Sequence, residues 1–184
     1  MLPSPKKYSY EEFLDLTKDK RAEFIDGEIY LLASPSFEHQ IVISKLNIEL
    51  MNFFKNTNCI PILYPFDVIF ENENTGEINV VQPDLTIICD KENITDKGYK
   101  GIPKLIIEVL SPSTASIDYI KKMSLYSKFK VEEYWIINPR NKTLQIFVLE
   151  KDLYIEYAAL TSEDIAYSYS FNGLSINLKD IFNW

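Results

Sequence analysis

Lys104-Leu105-Ile106-Ile107-Glu108-Val109-Leu110 is a nearly continuous apolar run, introduced by Pro103 and interrupted by one charge. In an extended chain Ile106, Glu108 and Leu110 face one way and Leu105, Ile107 and Val109 the other, so both faces call for cover. Strands of that kind belong inside a sheet with other layers packed on each side, which predicts an α/β fold with a mixed sheet flanked by helices. The same reading buries Glu108. An unpaired ionised carboxylate there is costly, and protonation, a cationic partner or a metal ion would each relieve the cost.

A second extended run, Val80 to Cys89, carries Asp84 in the stretch Gln82-Pro83-Asp84-Leu85. If it and Lys104 to Leu110 are neighbouring strands, two carboxylates meet in an oxygen-rich site suited to Mg²⁺. The plainer alternative makes Asp84 a hydrogen-bonding residue at the start of its strand and Glu108 a salt-bridge partner.

Two long amphipathic segments are available to cover the strands. Phe37 to Lys55 repeats Ile43, Leu46, Leu50 and Phe53 at helical spacing after the breaker Ser34-Pro35-Ser36, and Ala115 to Lys130 follows the loop Ser111-Pro112-Ser113-Thr114 with its capping residues. On the second helix Asp118, Lys122 and Tyr126 share a face at i, i+4 spacing. Lys122 could reach the carboxylate pair and stabilise charge developing on a phosphoryl group, or it could form an exposed pair with Asp118.

Further elements follow from local signals. Tyr8 to Thr17 reads as a short helix with Ser9 as N-cap, and Ala22 to Ala33 as a hairpin turning at Asp26-Gly27, with Glu23 on one strand and Glu28 on the other. Ile60 to Phe70, Glu133 to Asn138, Thr143 to Leu149 and Leu153 to Leu160 read as extended. The absence of repeats and low-complexity linkers makes residues 1–184 a single domain.

The chain is 46% hydrophobic and 14% aromatic, ample for a packed core. No apolar run approaches the roughly 20 residues that cross a bilayer, and Met1 to Lys7 lacks the apolar stretch of a secretory signal, so a cytoplasmic protein without membrane contact is expected. Cys59 and Cys89, far apart in apolar segments, read as buried reduced thiols, which excludes a cysteine-based zinc site. The net charge of −8 opposes a nucleic-acid partner, yet Lys97 to Lys142 holds nine basic and four acidic residues, +5, leaving −13 elsewhere. That asymmetry hints at a side facing a polyanion.

The order Glu23-Phe24-Ile25-Asp26-Gly27-Glu28, His39, Gln82-Pro83-Asp84, Ile107-Glu108-Val109-Leu110-Ser111-Pro112-Ser113-Thr114, Asp118 with Lys122 and Tyr126, and Glu133-Tyr134-Trp135-Ile136 resembles the Uma-two family of putative restriction endonucleases. The resemblance spans about Glu23 to Asn138 and implies a restriction-endonuclease-like core of the PD-(D/E)xK nuclease superfamily. It further implies Asp84 and Glu108 as metal ligands, Mg²⁺ or Mn²⁺ as cofactor and DNA as substrate, hydrolysed by metal-activated water. A non-catalytic nucleic-acid-binding module on the same fold is the competing expectation. The superfamily's lysine would fall two residues after Glu108, where Leu110 stands, and Lys122 is its natural replacement. Glu23 matches as a further metal or water ligand. His39, the one histidine, matches at a helix start, where it would contact phosphate or tune the site; a hydrogen-bonded core histidine is the alternative. Glu133-Tyr134-Trp135 reads as core or as a homodimer contact, because aromatics alternating in a strand need no ligand.

Overall fold

The structure, a computed structural model, describes residues 6–111 and 115–184; the expected loop at residues 112–114 lies outside them. In chain order the elements are α1 (Tyr10–Leu16), β1 (Ala22–Ile25), β2 (Glu28–Leu31), α2 (Phe37–Phe54), β3 (Ile60–Leu63), β4 (Val68–Asn72), β5 (Glu77–Val81) and β6 (Leu85–Ile88). There follow β7 (Ile94–Thr95), β8 (Gly98–Tyr99), β9 (Leu105–Val109), a π-helix (Ile117–Lys122) leading into α3 (Met123–Lys128), β10 (Glu133–Asn138), β11 (Thr143–Glu150), β12 (Leu153–Thr161), β13 (Ile165–Tyr167), β14 (Ser175–Asn177) and α4 (Leu178–Phe182). One sheet runs β2-β1-β5-β4-β8-β7, a second β12-β11-β10-β9-β6-β3, and β13 pairs with β14.

Val80 to Cys89 is therefore not one strand. Val80 and Val81 end β5 in the first sheet, opposite Ile69 and Val68, whereas Leu85 to Ile88 form β6 in the second. There β6 runs antiparallel to β9, with Leu85 opposite Ile107 and Ile87 opposite Leu105. Pro83, which has no N–H for a ladder, sits at the point where the chain changes sheets. Ile60 to Phe70 splits in the same way about Pro65, giving β3 to one sheet and β4 to the other.

The alternation in β9 is realised as read. Leu105, Ile107 and Val109 join a core with Val42, Leu46 and Leu50 of α2 and Ile181 of α4. Ile106 joins a second core that also gathers Ile25, Val68 and Val81 from the first sheet and Leu125 and Tyr126 from α3. The space between the two sheets is thus an apolar layer, and Glu108, on the Ile106 side of β9, enters it. A third cluster, Phe13 with Ala22, Phe24 and Val80, seats α1 on the far face of the first sheet.

Local signals behave as their chemistry predicts. Ser9 and Glu12 form a reciprocal capping box on α1, and Ser36 caps α2 by accepting from the His39 N–H. Asp26 and Gly27 both take positive φ, 48° and 76°, as a two-residue hairpin turn of type I′ requires. The second long helix differs from expectation, because Ile117–Lys122 is π-helical before α3 begins. Its patterning is inverted: Ile120 is 66% exposed, while Asp118 and Lys122 are 2% and 4% exposed. The wide π turn thus carries two charged side chains inward.

Two further expectations are corrected or settled. Cys59 and Cys89 are joined in a disulfide, because the β3–β6 register that sets Ile60 opposite Ile88 carries the two cysteines to facing positions one step on. Glu133, Tyr134 and Trp135 are fully buried, so their alternation is core and not a dimer contact. Glu133 accepts from Trp135 Nε1 (2.6 Å), Ser168 Oγ (2.8 Å) and the N–H groups of Tyr169 (3.0 Å) and Ser170 (2.8 Å), tying the segment after β13 to the second sheet. Glu133→Ala strands these donors and should lower stability by about 3 kcal/mol, a figure set by one to three kcal/mol per unpaired buried group with partial rescue by water. Denaturant unfolding measures it; a change under about 0.5 kcal/mol would show that the tie is dispensable. No helix among the described residues is long and apolar enough to cross a membrane.

Candidate active site

The β6–β9 ladder runs up to Leu85 opposite Ile107, which brings Asp84, just before β6, beside Glu108 of β9, and both line one cavity. Asp84 Oδ2 accepts the Val109 N–H at 2.8 Å and lies 3.1 Å from His39 Nε2. Asp84 is thereby fixed from β9 and from the first turn of α2. His39 is 7% exposed, a hydrogen-bonded interior residue that also lines the cavity described below.

Glu108 Oε1 accepts from Lys122 Nζ and from Tyr126 Oη, each at 2.9 Å. The same ammonium lies 2.8 Å from Glu23 Oε1 and 3.4 Å from Asp118 Oδ1, and Glu23 Oε1 also accepts the Gln82 N–H at 2.9 Å. Asp118 and Lys122 are buried with Glu23 and Glu108, so the alternative of an exposed Asp118–Lys122 pair does not hold, and Lys122 meets Glu108 inside an interior cluster. The hairpin strand β1 contributes Glu23, the sheet-changing segment the Gln82 N–H, the strand β9 Glu108, and the π-helix both Asp118 and Lys122.

Three carboxylates around one ammonium set the protonation. Burial works against the charged form of Lys122, but Glu108 and Glu23, with smaller contributions from Tyr126 and Asp118, outweigh it and hold Lys122 protonated well above the usual lysine range. Burial pushes Glu108 well up; Lys122 pulls it back, while Asp118, Asp84 and Glu23 push it further. Glu23 is also raised, by burial first, against the pull of Lys122 and the Gln82 N–H. A firmly protonated Lys122 cannot serve as a base, but it can supply positive charge.

A cavity of about 190 Å³ opens on this cluster, lined by Glu23, His39, Asp84, Glu108, Asp118 and Lys122 together with Tyr64, Gln82, Ser111 and the segment Leu32 to Pro35. All six residues singled out in the sequence therefore meet at one site. Sequence reasoning missed three others. Tyr126 shares the helical spacing with Lys122 but received no role, Gln82 was read only as part of a motif, and Tyr64 carried no signal.

Among the described residues no group of three or more His, Cys, Asp or Glu side chains is arranged to hold a metal ion. Mg²⁺ does not require one, since it keeps several waters and commonly takes one or two carboxylates plus substrate phosphate. Asp84 and Glu108, both in the wall of the cavity, are the two carboxylates that would hold such an ion.

Most lysines of the basic window are in ion pairs. Lys100 pairs with Glu71, Lys104 with Glu132, Lys121 with Glu28, Lys128 with Glu77 and Lys130 with Asp152, while Lys122 is interior. Neighbours from outside the window neutralise most of its excess charge.

Comparison with known proteins bears on what such a site belongs to. An uncharacterized protein, slr1290, of Synechocystis sp. is 27% identical over 144 residues, covering 77% of this chain and 74% of that one. A crystal structure of a putative nuclease belonging to DUF820 from Anabaena variabilis superposes with a TM-score of 0.77 at 20% identity, over 98% of this chain and 99% of the other, and so shares the fold. The sequence pattern of the Uma2 family, described as putative restriction endonuclease, matches residues 10–179. That span covers nearly all of the elements described above, and the chain belongs to the Uma2 family.

Proposed function

We propose that the protein is a Mg²⁺-dependent endonuclease of the PD-(D/E)xK type that hydrolyses DNA phosphodiester bonds, with Mn²⁺ able to replace Mg²⁺. The observation that carries this reading is that Asp84 and Glu108 line one cavity together with Lys122, whose ammonium lies 2.9 Å from Glu108 Oε1. When bound, the divalent ion supplies activation of water and neutralisation of phosphoryl charge. The chain's own residues do the rest. His39 and the Val109 N–H hold Asp84, and Tyr126 and Lys122 hold Glu108. Lys122, charged and excluded from bulk water, adds positive potential where negative charge grows on the phosphoryl oxygens. Glu23 and Asp118 keep that ammonium in place and lower its mobility. The chemistry asked of the superfamily's strand lysine thus comes from a helix, and Leu110 in its usual position is no obstacle.

The test pairs turnover with metal binding. A panel of duplex and single-stranded DNA with Mg²⁺ or Mn²⁺ should show cleavage, and either ion should raise the melting temperature of wild type but not of Asp84→Ala. DNA binding with neither cleavage nor a metal response would assign the fold to a non-catalytic nucleic-acid-binding module.

A further inference from the structure

The second sheet sets the residues of the site in a row along one of its ends. β9 and β10 run parallel, β6 runs antiparallel to β9, and β3 antiparallel to β6. The ends of β10, β9 and β3 therefore lie beside the start of β6. Along that end the order is Asn138 to Arg140 after β10, Glu108 on β9, Asp84 before β6 and Tyr64 after β3. Backbone bonds hold both flanks of the row: the Leu110 N–H donates to the Ile137 carbonyl at 2.7 Å, and the Tyr64 N–H to the Asp84 carbonyl at 3.1 Å. Each flank carries one arginine, and the chain has no others. Arg140 stands in the turn between β10 and β11. Arg21 precedes β1, its carbonyl accepts the Leu32 N–H at 3.0 Å, and its guanidinium lies over the ring of Tyr64, 5.5 Å from the centroid, and donates to the hydroxyl.

Both arginines adjoin the cavity of the carboxylates. Leu32 and Tyr64, the partners of Arg21, are in its wall. Arg140 lines a second cavity of about 420 Å³ with Ser36, Glu38, Ser111 and Asn138, and Ser111 belongs to both cavities. Arg21 and Arg140 are exposed, and among the described residues neither is in an ion pair, whereas Lys100, Lys104, Lys121, Lys128 and Lys130 all are. Arginine presents a fork of donors that matches a phosphate and keeps its charge at any working pH. Three strand spacings of about 4.8 Å separate the flanks of the row, roughly 14 Å, which is about four steps of a nucleic-acid strand at 3.4 Å each.

We infer that Arg21 and Arg140 form a phosphate clamp that holds one DNA strand on either side of the scissile bond, so that the strand runs along the end of the second sheet and over Asp84 and Glu108. The identity of the ligand as DNA rests on the nuclease reading above. The carboxylates of the cavity repel a phosphodiester strand, and a guanidinium on each flank offsets that repulsion. Tyr64 holds Arg21 by ring and hydroxyl, which reduces the freedom lost when a phosphate binds. Lys97, also outside any ion pair, sits in the turn between β7 and β8 at the edge of the first sheet and takes no part.

Binding at low salt in the presence of a chelator separates the clamp from the chemistry. By fluorescence anisotropy with labelled duplex and single-stranded DNA, Arg21→Gln and Arg140→Gln should each weaken binding by about three- to tenfold, the effect of one screened phosphate contact. Each should also reduce the slope of log affinity against log salt by about one, and the double variant by about two. Lys97→Gln removes the same charge elsewhere and should leave affinity and slope unchanged. The Mn²⁺-induced rise in melting temperature should match wild type in all of these variants. Should Arg21→Gln lower the melting temperature through its lost contacts with Tyr64, Arg140→Gln decides alone. Wild-type affinity and slope in Arg140→Gln, an equal loss in Lys97→Gln, or no DNA binding by wild type overturns the clamp. Cleavage by wild type with binding unaffected in the arginine variants would do so while sparing the nuclease reading. Affinity lost in the arginine variants alone, without cleavage of any substrate by wild type, would overturn the nuclease reading and leave the clamp standing.

Discussion

Asp84→Asn should reduce DNA cleavage by on the order of 10³ or more while leaving the protein folded. The substitution keeps the side chain's shape and an oxygen able to accept the Val109 N–H, so the β6–β9 junction survives. What disappears is a negative charge beside Glu108, and with it half of the proposed ion site. Loss of a single donor to the transition state costs about 10² to 10³ in rate, and loss of a metal-holding carboxylate removes that contribution together with ion occupancy. His39 supplies the graded comparison. Its Nε2 bond orients Asp84 without touching the ion, so His39→Gln should cost only about 10 to 100-fold, the usual range for a partner of a metal-binding group. The discriminating measurement is the Mn²⁺ dependence of single-turnover cleavage. His39→Gln should regain much of its rate at high Mn²⁺, and Asp84→Asn should not. Wild-type turnover in Asp84→Asn would remove the carboxylate pair from the mechanism.

The parts of this site that were legible in the sequence are those where a charge breaks a strong pattern. Glu108 interrupts an apolar strand, and its alternation with Ile106 and Leu105 fixes both its burial and its face. Asp84 was visible for the same reason, but the strand carrying it was not: Gln82-Pro83-Asp84 transfers the chain between sheets, and apolar character alone cannot say which sheet a residue joins. Lys122 was legible as a partner through its spacing from Asp118, yet the π-helix that turns both inward leaves no trace in periodicity, since Ile120 on the same stretch is the residue left outside. Short strands such as β7 and β8, and the pair β13 and β14, are too brief to set up a period. The disulfide depends on strand register, which spacing along the chain does not contain.

Lys122→Met is where burial changes the expected result most. From spacing alone the substitution looks tolerable to the fold, with a stem of similar volume and only a charge removed. The structure places that charge within 2.8 to 2.9 Å of Glu23 and Glu108, both in the interior. Removing one member of a buried ion pair destabilises by about 3–5 kcal/mol, because the remaining charges are left without a counter-ion. The fold has one way to soften the blow: burial already raises Glu23 and Glu108, so without Lys122 they take up protons and stay neutral. Stability of Lys122→Met should therefore improve as pH falls toward the carboxylate range. Glu23→Gln, which keeps an oxygen for the Gln82 N–H, should rescue part of the loss, with a coupling of about 1–3 kcal/mol in a double-mutant cycle. The folded double variant then isolates the electrostatic role, and its cleavage rate should still be down by about 10² to 10³. Denaturant unfolding and single-turnover cleavage on the same four proteins settle both halves. Additive stabilities would show that Lys122 does not hold Glu23 in place, and undiminished turnover in the double variant would make Lys122 a counter-ion for the fold alone.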